Sequence, residues 1–292
     1  MGDLAVSTRF LCVMMCGLLW SCAGAPRRLS YSSLNSAAMG KSMDYAVYAP
    51  PSLADAEVLP LVVFLHGGGD DVDCLDEAGF GARLDQAIAA GRVPRVVIAV
   101  PQGDFGFWED WADGTRKYRS WVVEEMLPQV QAKYHTQACP EGCHVMGISM
   151  GGHGALRFGL KRPDMFSTIT ALSAPIFDTE QMLEFREHFW WGLVVPVGRI
   201  WGKSKDRAVM ARDDLFVEWS KPEDLSGRRL RVAWATDDRK EVIKTSQKFH
   251  AHLQDKHIPH SFEVFPGDHE WDAWMPALER ALGVQVGAQP AQ

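Results

Sequence analysis

The chain has 292 residues, a formal net charge of −7, and 47% hydrophobic against 23% charged residues. That balance belongs to packed globular proteins and excludes a largely disordered chain, a collagen-like chain and a coiled coil. The acidic excess leaves no basic surplus to neutralise phosphates, which excludes general nucleic-acid binding.

The first feature along the chain is an apolar run, Phe10–Trp20 (FLCVMMCGLLW), broken only by Gly17. A bilayer span needs about 20 apolar residues, so this run is too short to cross. It has the length of a signal-peptide core, and Arg9 stands just before it. Residues 1–25 are therefore read as a signal peptide and the protein as exported, to a periplasm, the medium or a lipid anchor on a bacterial envelope. Two exits fit. Ala23-Gly24-Ala25 is a small-residue cleavage site. Leu19-Trp20-Ser21-Cys22 resembles a lipoprotein box and would leave Cys22 lipidated, anchoring the protein to a membrane. Outside this leader the cysteines are Cys74, Cys139 and Cys143. In an oxidising compartment Cys139 and Cys143 can close a small disulfide loop. No second Cys pair stands ready to complete a zinc site with them and His144, so no metal is expected.

Residues 26–42 are rich in Ser, Ala and Arg and read as a lead-in or tether. From Met43 to about residue 283, short apolar runs alternate with helix-like stretches, and residues 284–292 read as a flexible tail. The strand candidates are Asp44–Tyr48, Leu59–Leu65, Arg95–Val100, His144–Ile148, Ser167–Leu172, Leu230–Ala235 and Ser261–Phe265. Several are continuous apolar runs, such as Leu61-Val62-Val63-Phe64-Leu65, which suit strands covered on both faces. The helix candidates between them are Gly81–Ala90, Tyr118–Tyr134, His153–Lys161 and Lys240–Lys256. Such alternation predicts a three-layer α/β fold around a mostly parallel central sheet. Residues 176–224 interrupt the rhythm. They hold no good strand and many aromatics, and read as a helical and loop insertion at the sheet edge. Its aromatics are extra core or a wall for a substrate pocket.

The most informative motif is Gly147-Ile148-Ser149-Met150-Gly151, with a strand before it and a helix after it. A tight strand-to-helix turn of this kind forces a strained backbone on the serine, and bulky neighbours two residues away would clash. Ser149 is thus the candidate nucleophile, and the Met150 N–H, at a helix N-terminus, a candidate oxyanion donor. Leu65-His66-Gly67-Gly68-Gly69 follows the strongest strand and offers the second donor, Gly68 in preference to Gly67. His66 is expected to brace this loop. The acidic cluster Asp70, Asp71, Asp73, Asp76 and Glu77 reads as a solvated loop, since it lacks the spacing of a calcium loop.

A serine nucleophile on this fold needs a base and an acid, in the chain order Ser, acid, His. His269 directly follows the last strand candidate, at the end where catalytic groups gather. The strand before it ends Thr236-Asp237-Asp238, so either aspartate can orient His269. Asp272 is a weaker alternative. Among aromatics, Trp108, Trp190 and Trp191 are the substrate-binding candidates, with Trp201 nearby.

These residues together resemble the esterase D-like (putative esterase) family of α/β-hydrolases, the branch of S-formylglutathione hydrolases, feruloyl esterases and mycolyltransferases. The resemblance covers about residues 43–283. It rests on Leu65-His66-Gly67-Gly68, Val100-Pro101-Gln102-Gly103, Glu125-Met126-Leu127-Pro128, Gly147 to Ala155, Arg162-Pro163-Asp164-Met165-Phe166, Leu172-Ser173 and Gly267 to Trp274. The family's acid loop reads roughly Gly-x-x-Asp; Ala235-Thr236-Asp237-Asp238 then places the acid at Asp238, with Ala235 in place of the glycine. The resemblance implies a triad of Ser149, Asp238 and His269, oxyanion donors at Gly68 and Met150, and no cofactor. It implies a small-molecule or polysaccharide-linked ester, or a thioester, as substrate. The alternative is an acyltransferase of the mycolyltransferase kind, moving the acyl group to a sugar or other alcohol.

Overall fold

The computed structural model describes residues 27–54, 56–187, 195–203 and 206–287. The expected signal peptide, Cys22, Trp190, Trp191 and residues 288–292 lie outside them.

Eight strands form one sheet in the order β1-β2-β4-β3-β5-β6-β7-β8. They are β1 (Leu29–Ser36), β2 (Lys41–Tyr48), β3 (Leu61–Leu65), β4 (Val97–Pro101), β5 (Cys143–Ile148), β6 (Thr168–Leu172), β7 (Arg229–Ala235) and β8 (Ser261–Phe265). From β4 through β8 all neighbours are parallel, while β1 and β2 enter antiparallel. The continuous apolar runs follow from two-sided burial. In β3, Leu61, Val63 and Leu65 point into one core with Trp121, Val130 and Phe158. Val62 and Phe64 point into the other, with Leu84, Leu278 and Leu282. Every residue of β3 is therefore removed from water, and each such aliphatic side chain contributes about 1.5–3 kcal/mol.

The helices cover both faces. Phe80–Ala89 and the C-terminal Trp271–Gln285 lie over one face. Over the other lie Met150–Lys161, Lys240–Asp255 and a continuous helical stretch of Tyr118–Ser120, a π-helical Trp121–Met126 and Leu127–Tyr134. This is the predicted three-layer α/β sandwich. Between β6 and β7 the described residues of the insertion form short helices, among them Thr179–Glu187, Val197–Ile200 and Leu215–Glu218, and no strand. A disulfide joins Cys139 to Cys143, the first residue of β5.

Two sequence expectations need correction. The lead-in 26–42 is not a tether: Leu29–Ser36 is an edge strand in register with β2 from Leu29↔Tyr48 to Ser36↔Lys41. The Asp76 carboxylate accepts the Arg28 N–H (2.8 Å) and the Tyr31 hydroxyl (2.7 Å), fastening this strand to the acidic loop. The C-terminal helix Trp271–Gln285 was also not anticipated, because Pro276 lies within it. It extends two residues into the expected flexible tail, through Val284 and Gln285.

Two buried histidines make the fold sensitive to acid. His144 on β5 bonds Thr168 Oγ1 through Nδ1 (2.8 Å), and His153 bonds the Pro175 carbonyl (3.1 Å). Burial pushes both down to about 4, helped at His144 by the charge of Arg229. Unfolded imidazoles titrate near 6.5, so the unfolded chain takes up protons that the native fold excludes. The stability contributed by each neutral ring is full above about pH 6.5 and declines toward about pH 4, by up to about 1.4 kcal/mol per pH unit. Urea midpoints measured across that window should fall with acidity, and His144→Gln should flatten the slope. An unchanged slope in the variant would rule His144 out as a source.

Candidate active site

The site is built outward from the turn between β5 and the helix Met150–Lys161. Ser149 occupies that turn at φ 49° and ψ −121°, a conformation that a side chain tolerates only under constraint. The constraint is crowding. A Cβ on Gly147 would lie 2.2 Å from the Gly151 carbonyl oxygen, and one on Gly151 would lie 1.8 Å from that of Leu65. Only hydrogen at both positions lets helix and strand approach this closely. The Ser149 N–H is fixed on the Leu172 carbonyl of β6 (2.9 Å), so the hydroxyl is left for the open end of the sheet.

There it meets an imidazole. His269 Nε2 lies 2.9 Å from Ser149 Oγ, across 120 residues of chain. His269 Nδ1 lies 2.6 Å from Asp238 Oδ1. Asp238 is buried, and its carboxylate also accepts the N–H groups of Arg239 (2.8 Å) and Ala235 (3.3 Å). Burial alone would raise this carboxyl. The hydrogen bonds from His269 and the Ala235 N–H, with the attraction of His269, hold it below the usual range instead. An ionised carboxylate accepts only, so Nδ1 carries the proton and Nε2 is left free to accept from the serine. Asp237, the neighbouring candidate, is exposed and takes a hydrogen bond from Thr236. Asp272 is exposed as well.

The glycine loop after β3 closes the other side. A Cβ on Gly67 would lie 3.6 Å from Ser149 Cβ, and one on Gly68 would lie 3.9 Å from Met150 Cβ, so both glycines border the serine. Their N–H groups are not equivalent. That of Gly67 is taken by Asp70 Oδ2 (3.1 Å). Those of Gly68 and Met150 meet no protein acceptor among the described residues. The preferred pair is thus the pair left available. His66 braces the loop as expected: its Nε2 accepts the Gly103 N–H (3.1 Å), so Nδ1 donates to the Gly67 carbonyl (2.8 Å). Burial keeps this ring neutral by lowering its pKa.

The sequence matches the family described as "Putative esterase" over residues 36–284. The chain belongs to that family. An esterase of Mycobacterium tuberculosis is 28% identical over 152 residues, 51% of this chain and 32% of the relative. The acetyl esterase of Caldicellulosiruptor saccharolyticus is 24% identical over 237 residues, 78% of this chain and 84% of the relative. The chain thus spans about a third of the length of the first curated relatives it matches. A solved ferulic acid esterase superposes with a TM-score of 0.73 at 20% identity, covering 89% of this chain and 97% of that one. That likeness identifies the architecture as the α/β-hydrolase fold.

In this member of the esterase family a cleft of about 760 Å³ opens above Ser149 and His269. Phe105, Phe107, Phe177, Val195, Trp271 and Trp274 give it a largely apolar lining, with Arg239, Glu241 and Glu270 among its polar residues. Among the aromatic candidates, Trp108 does not reach it. Trp108 is fully buried, donates its indole N–H to the His66 carbonyl (3.3 Å), and fills the space that hydrogen leaves at Gly103 and Gly154. It is scaffold beneath the glycine loop; its loop neighbours Phe105 and Phe107 do the lining. Trp201 is buried too, packed on Phe107 and His153. Trp271 and Trp274 were missed, although their signal was at hand, two and five residues after His269. Among the described residues no group of three or more His, Cys, Asp or Glu side chains could hold a metal ion. Asp70 and Asp76 of the acidic cluster are engaged by backbone N–H groups.

The crowding at the turn is directly testable. Gly151→Ala cannot be accommodated without displacing backbone, so it should cost the variant its soluble expression or at least about tenfold in activity. A fully active, normally melting variant would show the turn to be looser than described.

Proposed function

We propose that the protein is an exported serine esterase that cleaves a carboxylic ester or thioester through an acyl-enzyme on Ser149. The reading is carried by one observation: the continuous series Ser149 Oγ, His269 and Asp238, at 2.9 and 2.6 Å, opening on an apolar cleft. Ser149 Oγ attacks the substrate carbonyl as His269 Nε2 takes its proton, and Asp238 stabilises the imidazolium. The Gly68 and Met150 N–H groups receive the oxyanion. Collapse expels the alcohol or thiol, which leaves with the proton from His269. A water, deprotonated by the same imidazole, then attacks the acyl-enzyme; the acyl–Oγ bond breaks, Ser149 Oγ recovers the proton from His269, and the carboxylic acid is released.

No step of this sequence calls for a cofactor. The aromatic walls suit an apolar or aromatic acyl group, and the ester relatives extend the same reading to small-molecule or polysaccharide-linked esters. The leader supports export, with anchoring through Cys22 as the lipidated form.

Ser149→Ala should abolish p-nitrophenyl acetate turnover and fluorophosphonate labelling while preserving the thermal melt; activity near that of the parent would reject the assignment. Asp238→Asn should lower kcat by about 10⁴, as loss of the orienting acid does elsewhere, whereas Asp237→Asn should stay within about twofold. Mass analysis of products with and without an added alcohol separates hydrolysis from transfer. Mass spectrometry of the mature N-terminus separates cleavage after Ala25 from lipidation at Cys22.

A further inference from the structure

Two histidines outside the cleft are hydrogen-bonded to each other. His250 lies on the helix Lys240–Asp255, and His260 stands just before β8. Neither lines the cleft. His250 Nδ1 is 2.7 Å from His260 Nε2. The proton between them can be assigned. His260 Nδ1 lies 2.9 Å from the Ile258 carbonyl, which only accepts, so this Nδ1 carries hydrogen. In the neutral ring Nε2 is then a bare lone pair, and it accepts from the His250 Nδ1–H.

Metal-binding imidazoles are prepared in the same way. A ligating histidine donates its second ring N–H to a carbonyl, which fixes the tautomer and aims the free nitrogen. His260 already does so. His250 is held as well, with the Phe262 ring 4.0 Å away between centroids and the Trp234 ring 6.3 Å away. Two nitrogens on one Zn²⁺, at about 2.0–2.1 Å and a tetrahedral angle, lie about 3.3 Å apart. The rings therefore need to part by only about 0.6 Å from their 2.7 Å spacing. On binding, the His250 proton moves through solvent from Nδ1 to Nε2, so the imidazole stays neutral and presents a second lone pair.

We propose that His250 and His260 form a two-ligand site for a divalent transition cation of the Zn²⁺ or Cu²⁺ class, with water completing the coordination. Imidazole nitrogens select such ions over Mg²⁺ and Ca²⁺, which take oxygen ligands. The lack of a second cysteine pair does not bear on this site, because its ligands are imidazoles brought together by the fold. The helix that bears His250 starts two residues after Asp238, and β8 ends four residues before His269. A cation held by the pair staples the helix that follows the acid to the strand that precedes the base. Its role is structural and lies apart from the chemistry at Ser149.

The test uses the full chain without an affinity tag, stripped with a chelator, and each metal salt alone. Isothermal titration should find a Zn²⁺ site, a tighter Cu²⁺ site in line with the Irving–Williams order, and no binding of Mg²⁺. Other histidines, His269 among them, can also take zinc, so variants assign the site. His250→Gln keeps an amide donor for His260 Nε2 and removes the ring ligand; His260→Ala removes the other ring. Each should weaken Zn²⁺ binding by about tenfold or more, as loss of even a supporting contact at a metal site does, while ester turnover by the metal-free variants stays within about twofold of the parent. Saturating Zn²⁺ should raise the thermal melt of the parent, and His250→Gln should abolish that rise. Paramagnetic resonance of the Cu²⁺ complex should show imidazole nitrogen ligands. A parent that binds neither Zn²⁺ nor Cu²⁺ overturns the site, and so does a Kd unchanged in both variants. Should either variant fail to fold, the other decides, and a Cu²⁺ spectrum with oxygen ligands alone refutes the proposal without any variant.

Discussion

The turn at Ser149 is the constraint on which the rest of the molecule depends. A side chain at φ 49° is stable only because strand, helix and the end of β3 press together with no room for a Cβ at 147 or 151. That pressure comes from the parallel sheet. β5 lies between β3 and β6, so both neighbours end beside the turn: the Leu172 carbonyl holds the Ser149 N–H, and the Leu65 carbonyl crowds Gly151. The strain is therefore set against extensive two-faced burial.

A second constraint fixes the helix that follows. Arg157, fully buried on that helix, bonds Glu109 from the Phe105–Phe107 loop and Glu218 and Asp213 from the insertion. Burial and the surrounding acids act on it in opposite senses, and the acids prevail, holding its charge. Removing one member would leave buried charge uncompensated, which typically costs about 3–5 kcal/mol. Asp104, Phe107 and Trp108 of the same loop also adopt positive φ, and Asp104 is held by Tyr118 (2.8 Å) and Gln102 (2.8 Å). The aromatic wall of the cleft is thus anchored from behind by ions and hydrogen bonds rather than by its own packing alone.

Much of this was legible in the residues, and the reasons differ by element. β3, β4 and β5 stood out because burial on both faces demands unbroken apolar runs. β1 did not, because an edge strand needs only a few inward side chains, and its serines read as a tether. The helix after His269 was masked by Pro276. The nucleophile turn announced itself because its sterics admit only glycine at fixed offsets. The acid could be narrowed to adjacent aspartates but not chosen from the residues themselves, since orientation is decided by how Thr236 and Asp237 fold outward. Trp108 shows the limit in the other direction: sequence gives an aromatic a place but no direction, and this one turns inward. Ser173 and Trp274 stand 101 residues apart, and nothing local to either reveals the hydrogen bond between them.

The ionic anchor behind the wall separates two jobs that often conflict in a catalyst. Phe177 and Val195 face the cleft from the insertion, while Asp213 and Glu218 grip the nucleophile helix from the same segment. Reshaping the substrate chamber by changing the former leaves the grip untouched. A designer seeking new acyl preferences has those lining positions as dials, and should treat the two acids as fixed bolts.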